Sequence, residues 1–370
     1  MSEEELNQQA RDVLEQLEKA ATAYSRAARY ARTDPKILVT IGDVRRLMTR
    51  YDAKMVGLDV ATWEAALEIN PGYRPAHERL LDAAVEATEV YPTDVRGFTR
   101  LGEKAESFAK VEPGNVRAQA CRHIAVIGAW LANKAMPEAA VEEQVAALME
   151  LQPKDPTVVE IPQYIAKASL RLVRDRSTGG DAARARALVA RAVDAFEKAP
   201  AKAKENPIFL YRQYVMLNEV PDEYADVAAG WSATTQPGQA ERSLAIKARD
   251  EKVRVTLEAA VQRVRQAAAG NRMYGRSESE ILCAWAMAQA AAGHADAAEA
   301  IHKELLSKRS FDPALRLEAA RLMKRSGRHE EGVKLLSTPM EESPELLGFR
   351  SVLNSRLETQ GMLELVDLRL

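Results

Sequence analysis

Hydrophobic residues recur along this chain at steps of three and four, the spacing that places them on one face of an α-helix. Residues 3–32 show the pattern first, with an apolar face made by Leu6, Val13, Leu17, Ala20, Tyr24 and Ala27. Thr33-Asp34-Pro35 follows, and because proline cannot continue a helix interior, one helix ends there and another begins. No segment shows the sustained alternation of a β-strand. The pattern therefore predicts an all-α protein.

Proline-containing turns divide the next part of the chain into units of two helices. Amphipathic runs end at Asn70-Pro71-Gly72, at Glu112-Pro113-Gly114 and at Gln152-Pro153-Lys154. Successive prolines lie about 40 residues apart, which leaves room for two helices of roughly 15–18 residues and two short turns. We expect antiparallel helix pairs.

The C-terminal third of the chain is more regular. Gly293, Gly327 and Gly361 are evenly spaced, at intervals of about 34 residues. A glycine after the end of a helix commonly adopts the left-handed conformation, and acidic residues behind it suit the first turn of the next helix. We expect each of these glycines to turn the chain between the two helices of a pair.

A period of about 34 residues is the spacing of the tetratricopeptide repeat, and the sequence resembles that family at specific positions. The matching residues are Trp285, Ala286, Gly293 and Ala298 in one unit, Ala319, Ala320, Gly327 and Pro344 in the next, Gly180, Ala185 and Ala192 earlier, and Trp63, Ala66 and Leu67 ahead of Pro71. The resemblance is good over 276–370, fair over 36–200 and poor over 201–275. It implies a right-handed superhelical solenoid of antiparallel helix pairs, with longer-than-standard units in the N-terminal half, that binds other proteins.

The repeats suggest three parts of the chain. Residues 1–200 are N-terminal helical repeats, 201–275 an irregular helical segment, and 276–370 regular repeats of the standard tetratricopeptide length, of which the last is incomplete. In the middle part Pro207 opens a helix, and 232–238 is predicted to be a mobile loop. Residues 239–269 are predicted to form one long helix, because no glycine or proline interrupts them. We interpret its apolar stripe as intramolecular core; the alternative is a coiled-coil seam against a partner.

Composition and charge narrow the classes of function. With 52 basic and 54 acidic residues, the formal net charge is −2, so the chain lacks the basic excess typical of a nucleic-acid-binding domain. The acidic N-terminus does not resemble a secretory signal, and no segment is apolar enough for a membrane helix. Cys121 and Cys283 are interpreted as reduced, buried thiols. We expect a soluble, cytoplasmic protein.

No residue pattern points to catalysis. The five histidines include no pair with the spacing of a zinc-binding helix, and Cys121 and His123 point to different sides of a helix. Gly179-Gly180-Asp181 lacks the lysine and the serine or threonine that a phosphate-binding loop carries behind its glycines. We predict that the protein is not an enzyme and uses no cofactor or metal.

Basic residues occupy the side of a helix that the resemblance assigns to the partner-binding groove. Arg321, Lys324 and Arg325 are the predicted partner-binding residues, and their charge favours an acidic segment or a C-terminal carboxylate. The alternative is that they complement the helix dipole and remain in water. The neighbouring unit has Cys283 and Met287 at comparable places, so the lysine–asparagine pair of a carboxylate clamp is missing.

Three functions remain open. The first is a protein–protein interaction scaffold or adaptor that presents a concave helical groove to a peptide or protein partner. The second is a regulatory or assembly subunit of a larger protein or complex. The third is an RNA-associated helical repeat.

The last residues of the sequence also give an expectation about binding partners. Only nine residues follow Gly361, and four of them are leucines. A segment this short does not hold a helix by itself. We expect either that the natural chain continues past Leu370 or that another subunit covers the leucines, in which case the protein self-associates.

Overall fold

A computed structural model of the chain describes residues 3–30, 33–48, 57–90, 92–133, 136–176, 182–231, 238–269, 276–308, 319–321, 323–324 and 327–337. Every regular element within these residues is a helix. The α-helices are α1 Glu3–Tyr30, α2 Pro35–Met48, α3 Leu58–Ile69, α4 Arg74–Val90, α5 Val95–Val111, α6 Val116–Asn133, α7 Glu138–Leu151, α8 Glu160–Arg176, α9 Ala182–Glu197, α10 Ala201–Lys204, α11 Pro207–Glu219, α12 Ala225–Ala229, α13 Gln239–Ala269, α14 Arg276–Ala291, α15 Ala295–Lys308 and α16 His329–Ser337. A short 3-10 helix, Asp222–Tyr224, precedes α12.

The prediction of an all-α protein built from helix pairs is confirmed over the described residues. None of the helices described is both long and apolar enough to cross a membrane.

The helix ends agree with the turns predicted from proline. Helices α3, α5 and α7 end at Ile69, Val111 and Leu151, each two residues before the proline of its turn. Helix α2 begins at Pro35, and the Asp34 side chain accepts a hydrogen bond from a backbone N–H of its first turn at 2.9 Å. Such a cap satisfies one of the amides that a helix start leaves unpaired. Short turns of this kind make consecutive helices antiparallel.

Two of the predicted glycine turns have the same geometry. Gly293 and Gly327 have φ angles of 86° and 75°, in the left-handed region. In each turn the next residue donates its backbone N–H to the carbonyl five residues earlier, at 2.9 Å from His294 and 2.8 Å from Arg328. This bond is part of the Schellman motif that ends a helix. The two turns therefore lie one repeat apart, as the sequence predicted.

Some predicted features lie outside the described residues. They are the turn at Gly361 with the leucine-rich segment after it, Pro344, Gly180 and the loop residues 232–237. These features, and the division of the chain into three parts, stay predictions.

By the density of its internal contacts the chain forms two compact units. Residues 84–285 form one, and residues 1–83 with 286–370 form the other. In the second unit, Trp63 of α3 lies across Gly42 of α2 and donates its indole N–H to the Val39 carbonyl at 3.3 Å. Around it lies a core made by Val39, Trp63, Ala66, Ala76 and Leu80.

Alanines that match the repeat pattern lie at helix contacts. Ala286 and Ala298 are fully buried, and Ala319 and Ala320 are each 1% exposed. In the other unit Ala192 is fully buried as well. A small side chain at these positions lets two helices approach closely. The alanines of the repeat pattern therefore determine how closely the helices pack.

Within residues 84–285 the helices lie in two layers. Helices α6, α8 and α11 are successive neighbours in one layer. Helix α5 packs on α6, α9 on α8, and α13 on α11 and α12, while α7 lies against both α6 and α8. Asn206 caps α11 by accepting a hydrogen bond from the Ile208 backbone N–H at 2.9 Å, so Pro207 opens that helix as predicted.

The long helix α13 is continuous over the predicted range, 239–269. The predicted stripe consists of Val253, Leu257, Ala260, Val264 and Ala267. Leu257, Ala260 and Val264 are at most 1% exposed and belong to the intramolecular core, whereas Val253 and Ala267 are half-buried. The coiled-coil alternative is therefore wrong for the three buried positions.

The two cysteines differ in burial. Cys121 is buried as predicted, whereas Cys283 is half-buried, which corrects the sequence-based expectation. The reason is its place on α14, where Ile281, Leu282 and Ala286 take the buried positions and Cys283 lies beside them.

Two glycines at the contact of α5 with α6 have different roles. A β-carbon at Gly128 would lie 2.0 Å from Cε1 of the Phe98 ring, a distance that no real contact allows. A β-carbon at Gly102 would lie 3.4 Å from the Ala125 β-carbon, an ordinary contact. Packing therefore requires the first glycine and tolerates a side chain at the second.

We predict opposite effects of alanine at these two positions. Gly128→Ala overpacks the contact with Phe98 and should destabilise the fold by about 1–3 kcal/mol, less the gain in helix propensity. Gly102→Ala should stabilise it by up to about 1 kcal/mol, because alanine is the better helix former. Thermal melting followed by circular dichroism measures both, each variant serving as the control for the other. If both variants changed the melting temperature in the same direction, α5 and α6 would not pack against each other in this way.

Candidate partner-binding surfaces

The predicted basic residues are only partly described. Arg321 and Lys324 are half-buried, in helical backbone beside the buried Ala319 and Ala320. Arg325 lies outside the described residues. The assignment of these three residues to partner binding stays a prediction.

A groove follows helix α6 in the unit formed by residues 84–285. It has a volume of about 510 Å³, and we call it the α6 groove. A second depression of about 440 Å³ adjoins it, and the two share Arg122 and His123. The α6 groove is lined by Phe98, Thr99, Gly102, Arg122, His123, Ala125, Val126, Ala129, Met136 and Gln144.

Small residues leave space for this groove, and contacts with neighbouring side chains fix the positions of its polar groups. Gly102 and Ala129 leave room between α5 and α6, and most of the exposed surface of the groove is apolar. Arg122 forms a salt bridge with Glu106 at 2.6 Å, and Nδ1 of His123 lies 2.8 Å from Oε1 of Gln144. A preformed apolar groove with a few oriented polar groups is typical of binding sites for peptides and small molecules.

A cluster of charged and aromatic side chains lies where α4, α8 and α11 meet. We call it the α8 cluster, and it consists of Glu89, Tyr164, Lys167 and Arg212. Glu89 and Arg212 form a salt bridge, with 39% and 14% of their side chains exposed. The Lys167 ammonium lies 5.1 Å from the centre of the Tyr164 ring, close enough for a cation–π interaction.

The cluster is surrounded by further ion pairs. Arg117 pairs with Glu160 at 3.1 Å, and Arg174 pairs with Glu219 at 3.1 Å. Within each pair, the two side chains neutralise each other's charge. The charge of Lys167 is disfavoured by the neighbouring Arg212 and favoured by Glu89 and Glu219.

Burial shifts the pKa values of Glu89, Tyr164 and Lys167. Desolvation, with smaller contributions from Glu89 and Cys121, raises the pKa of Tyr164 to about 12. Desolvation also raises the pKa of Glu89 above its usual value, although Arg212 and Lys167 oppose the shift. Desolvation and the neighbouring Arg212 lower the pKa of Lys167. Partial removal of water in this way strengthens the electrostatic contacts within the cluster.

Sequence reasoning did not find the α8 cluster, although one signal was present. Lys167 is the single charged residue between Glu160 and Arg171 in an otherwise mostly apolar run. A lone charge in such a run is rarely buried without a reason. Its neighbours Glu89 and Arg212 could not be found in the same way, because 123 residues separate them.

Comparisons with known proteins give weak similarities to solved structures. No protein-family profile and no curated protein matches the sequence. A structure of a monomeric IFIT1 mutant with Gppp-AAAA is 13% identical and has a TM-score of 0.43, with 87% of this chain and 74% of that chain covered. The structure of Naa15/Naa10 bound to HypK-THB is 13% identical at a TM-score of 0.29, covering 95% and 60%. Yeast Tom70 is 12% identical at 0.23, covering 98% and 94%. At these TM-scores the similarities do not bear on function.

The ionisation of Glu89 should depend on the charge of Lys167. Because Lys167 holds the pKa of Glu89 down, Lys167→Met should raise that pKa further, which carbon-13 NMR of the glutamate carboxylates measures. Glu89→Gln assigns the signal, and Lys247→Met, on the exposed side of α13, is the matched control. If the titration midpoint of Glu89 were the same in Lys167→Met as in the wild-type protein, Lys167 and Glu89 would not lie close together.

The sign of the linked stability effect follows from the raised pKa of Glu89. The folded chain holds this proton more tightly than the unfolded chain does. Protonated Glu89 therefore stabilises the fold fully at pH values below its pKa in the unfolded chain. This contribution to stability is lost as the pH rises through the pKa of Glu89 in the folded chain.

Proposed function

We propose that this protein is a protein-interaction scaffold that binds a segment of its partner in the α6 groove. The observation that supports this most is the groove itself, which is preformed, largely apolar and extended by the adjoining depression. In this proposal the protein acts by binding in the cytoplasm and not by catalysis. Binding surfaces of stacked helix pairs need little rearrangement when a segment docks, because neighbouring helices already hold them.

The dimensions and chemistry of the groove favour an extended peptide. The apolar part of the groove suits one or two apolar side chains of the partner, and the adjoining depression adds Gln119, Glu150 and Lys154. These polar groups suit the neighbouring backbone or polar side chains. Arg122 is already paired with Glu106, so the groove offers no concentration of positive charge for an RNA backbone.

The basic residues Arg321, Lys324 and Arg325 belong to the same proposal as a second contact. The role of a regulatory or assembly subunit is the alternative, in which the groove is filled by a permanent subunit of the same complex.

A variant that fills the groove without disturbing the fold tests the proposal. Gly102→Gln places a long side chain at the groove wall, and its β-carbon meets only an ordinary contact with Ala125. We expect peptides selected by the wild-type protein from a displayed library of random dodecapeptides to bind this variant at least tenfold more weakly, which corresponds to about 1.4 kcal/mol.

The matched control is Glu103→Gln, the same new side chain at the next, exposed position of α5. It should bind the peptides as the wild-type protein does. Gly102→Gln should melt no lower than wild type, because glutamine favours a helix more than glycine does. Undiminished peptide binding by a folded Gly102→Gln variant would exclude the α6 groove as the binding surface.

A further inference from the structure

The α6 groove and the depression beside it meet at two side chains, Arg122 and His123, which line both of them. The exposed surface of the α6 groove is mostly apolar, whereas the adjoining depression also contains the polar groups of Gln119, Glu150 and Lys154. A peptide segment that fills both must pass over Arg122 and His123. The hydrogen-bonding groups that these two side chains leave open therefore determine which part of the segment binds there.

The Arg122 guanidinium is already bound within the protein. Its Nε atom lies 2.6 Å from one carboxylate oxygen of Glu106, and the Lys110 ammonium lies 3.8 Å from the other oxygen. A carboxylate or phosphate of a partner would have to displace Glu106 to reach Arg122. The meeting point of the two depressions thus favours a neutral group of the partner over an anion.

The His123 ring is oriented by helix α7. Oε1 of Gln144 on that helix lies 2.8 Å from Nδ1 of the ring, and because an amide oxygen only accepts, Nδ1 carries a proton and donates it. In the neutral imidazole the other nitrogen, Nε2, is then an acceptor. Nε2 of His123 has no hydrogen-bond partner among the described residues, and unlike Nε2 of His302 it is not enclosed by protein. His123 therefore presents an open acceptor where the two depressions meet.

Gln144 provides a donor beside this acceptor. Its oxygen is bound to the imidazole, while its amide nitrogen has no hydrogen-bond partner in the described part of the chain and is not enclosed either. Gln144 lines the α6 groove together with His123. The N–H and C=O of one residue in an extended chain lie on the same edge of that chain, as in a pair of antiparallel strands. An acceptor and a donor held next to each other complement such a residue.

We propose that His123 and Gln144 recognise the backbone of the partner segment. Nε2 of His123 accepts the N–H of one extended residue, and the Gln144 amide donates to the C=O of the same residue. A neighbouring residue of the segment then places an apolar side chain in the α6 groove. This inference rests on the proposed function, and it specifies the segment as extended and uncharged at the contact.

The proposal excludes two kinds of segment. Proline cannot occupy the contact position, because it has no backbone N–H. The interior of a helical segment cannot make the contact either, because its N–H groups are already bound within the helix.

The position of the imidazole proton can be measured in the free protein. The proposal requires that the neutral His123 ring carry its proton on Nδ1, and nitrogen-15 NMR of the imidazole rings distinguishes the two nitrogens. His123→Asn assigns the signal by removing it. A neutral ring with its proton on Nε2 would present a donor to the groove and would overturn the proposal.

Two substitutions separate the roles of the two ring nitrogens. The asparagine amide lies where Nδ1 does, so His123→Asn keeps the hydrogen bond to Gln144 and removes the outward acceptor. The glutamine amide reaches the place of Nε2, so His123→Gln restores an acceptor there. We expect peptides selected by the wild-type full chain from the random dodecapeptide library to bind His123→Asn about tenfold more weakly and His123→Gln within about threefold of wild type. His329→Asn, the same change at an exposed histidine, should leave binding unaltered.

A double-mutant cycle between protein and peptide tests the contact itself. In each selected peptide the backbone amides are replaced one at a time by esters, which keep the extended shape and have no N–H. We expect one position at which the ester weakens binding to the wild-type protein about tenfold and has no effect on binding to His123→Asn. Thermal melting followed by circular dichroism shows that the histidine variants are folded.

The other outcomes separate the two proposals. If the wild-type protein selects no peptide, the proposed function fails. If Gly102→Gln weakens peptide binding but no ester position is coupled to His123, the backbone contact is wrong and the scaffold proposal stands. Coupling of His123 to an acidic side chain of the peptide would show that the ring donates to an anion, and this would also overturn the inference.

Discussion

A pair of helices cannot cover its own apolar faces, and the arrangement of this protein depends on that constraint. Each pair must be covered by the next, so the contact between neighbours contributes most of the stability. Small residues set how close that contact is. Gly128 lets α6 approach the Phe98 ring of α5, and Gly42 does the same for Trp63 in the other unit. Larger side chains at these two positions would separate helices whose burial stabilises the fold.

The same packing creates the two candidate surfaces. Where small residues line the contact between helices, as Gly102 and Ala129 do, the contact opens into the α6 groove. Where long polar side chains from α4, α8 and α11 meet, they are enclosed together and lose water. Desolvation then becomes the first cause of the pKa shifts of Glu89, Tyr164 and Lys167. A stack of helices thus supplies both an apolar surface and an electrostatically strong one without a dedicated loop.

The sequence predicted the elements well because their determinants are local. The prolines after α3, α5 and α7, the caps at Asp34 and Asn206, and the left-handed Gly293 and Gly327 each act within a few residues. The long helix over 239–269 was predicted correctly for the same reason, since nothing in that range interrupts a helix. Burial was harder to predict. Cys283 looked like a core residue in its apolar context, yet its position on α14 lies beside the buried face.

The candidate sites could not be predicted, because they depend on contacts between distant parts of the chain. The groove needs α5, α6 and α7 at their actual separations, and the α8 cluster needs Glu89 and Arg212 to meet across 123 residues. The basic residues Arg321, Lys324 and Arg325 were chosen through a resemblance, which transfers an architecture more readily than a binding site. A lone lysine in the apolar run of α8 was the one local sign of the cluster.

The α8 cluster depends on α4 and α11 meeting beside α8, and an exchange of the charges of Glu89 and Arg212 tests that contact. Glu89→Arg and Arg212→Glu each place like charges together, and each should lower stability by roughly 1.5–3 kcal/mol, the value of a hydrogen bond to a charged group. In the double variant Glu89→Arg with Arg212→Glu, the pair is restored in reverse, and most of the lost stability should return in a thermal melt. Losses that simply add in the double variant would show that the two side chains do not meet, and the α8 cluster would not exist as described.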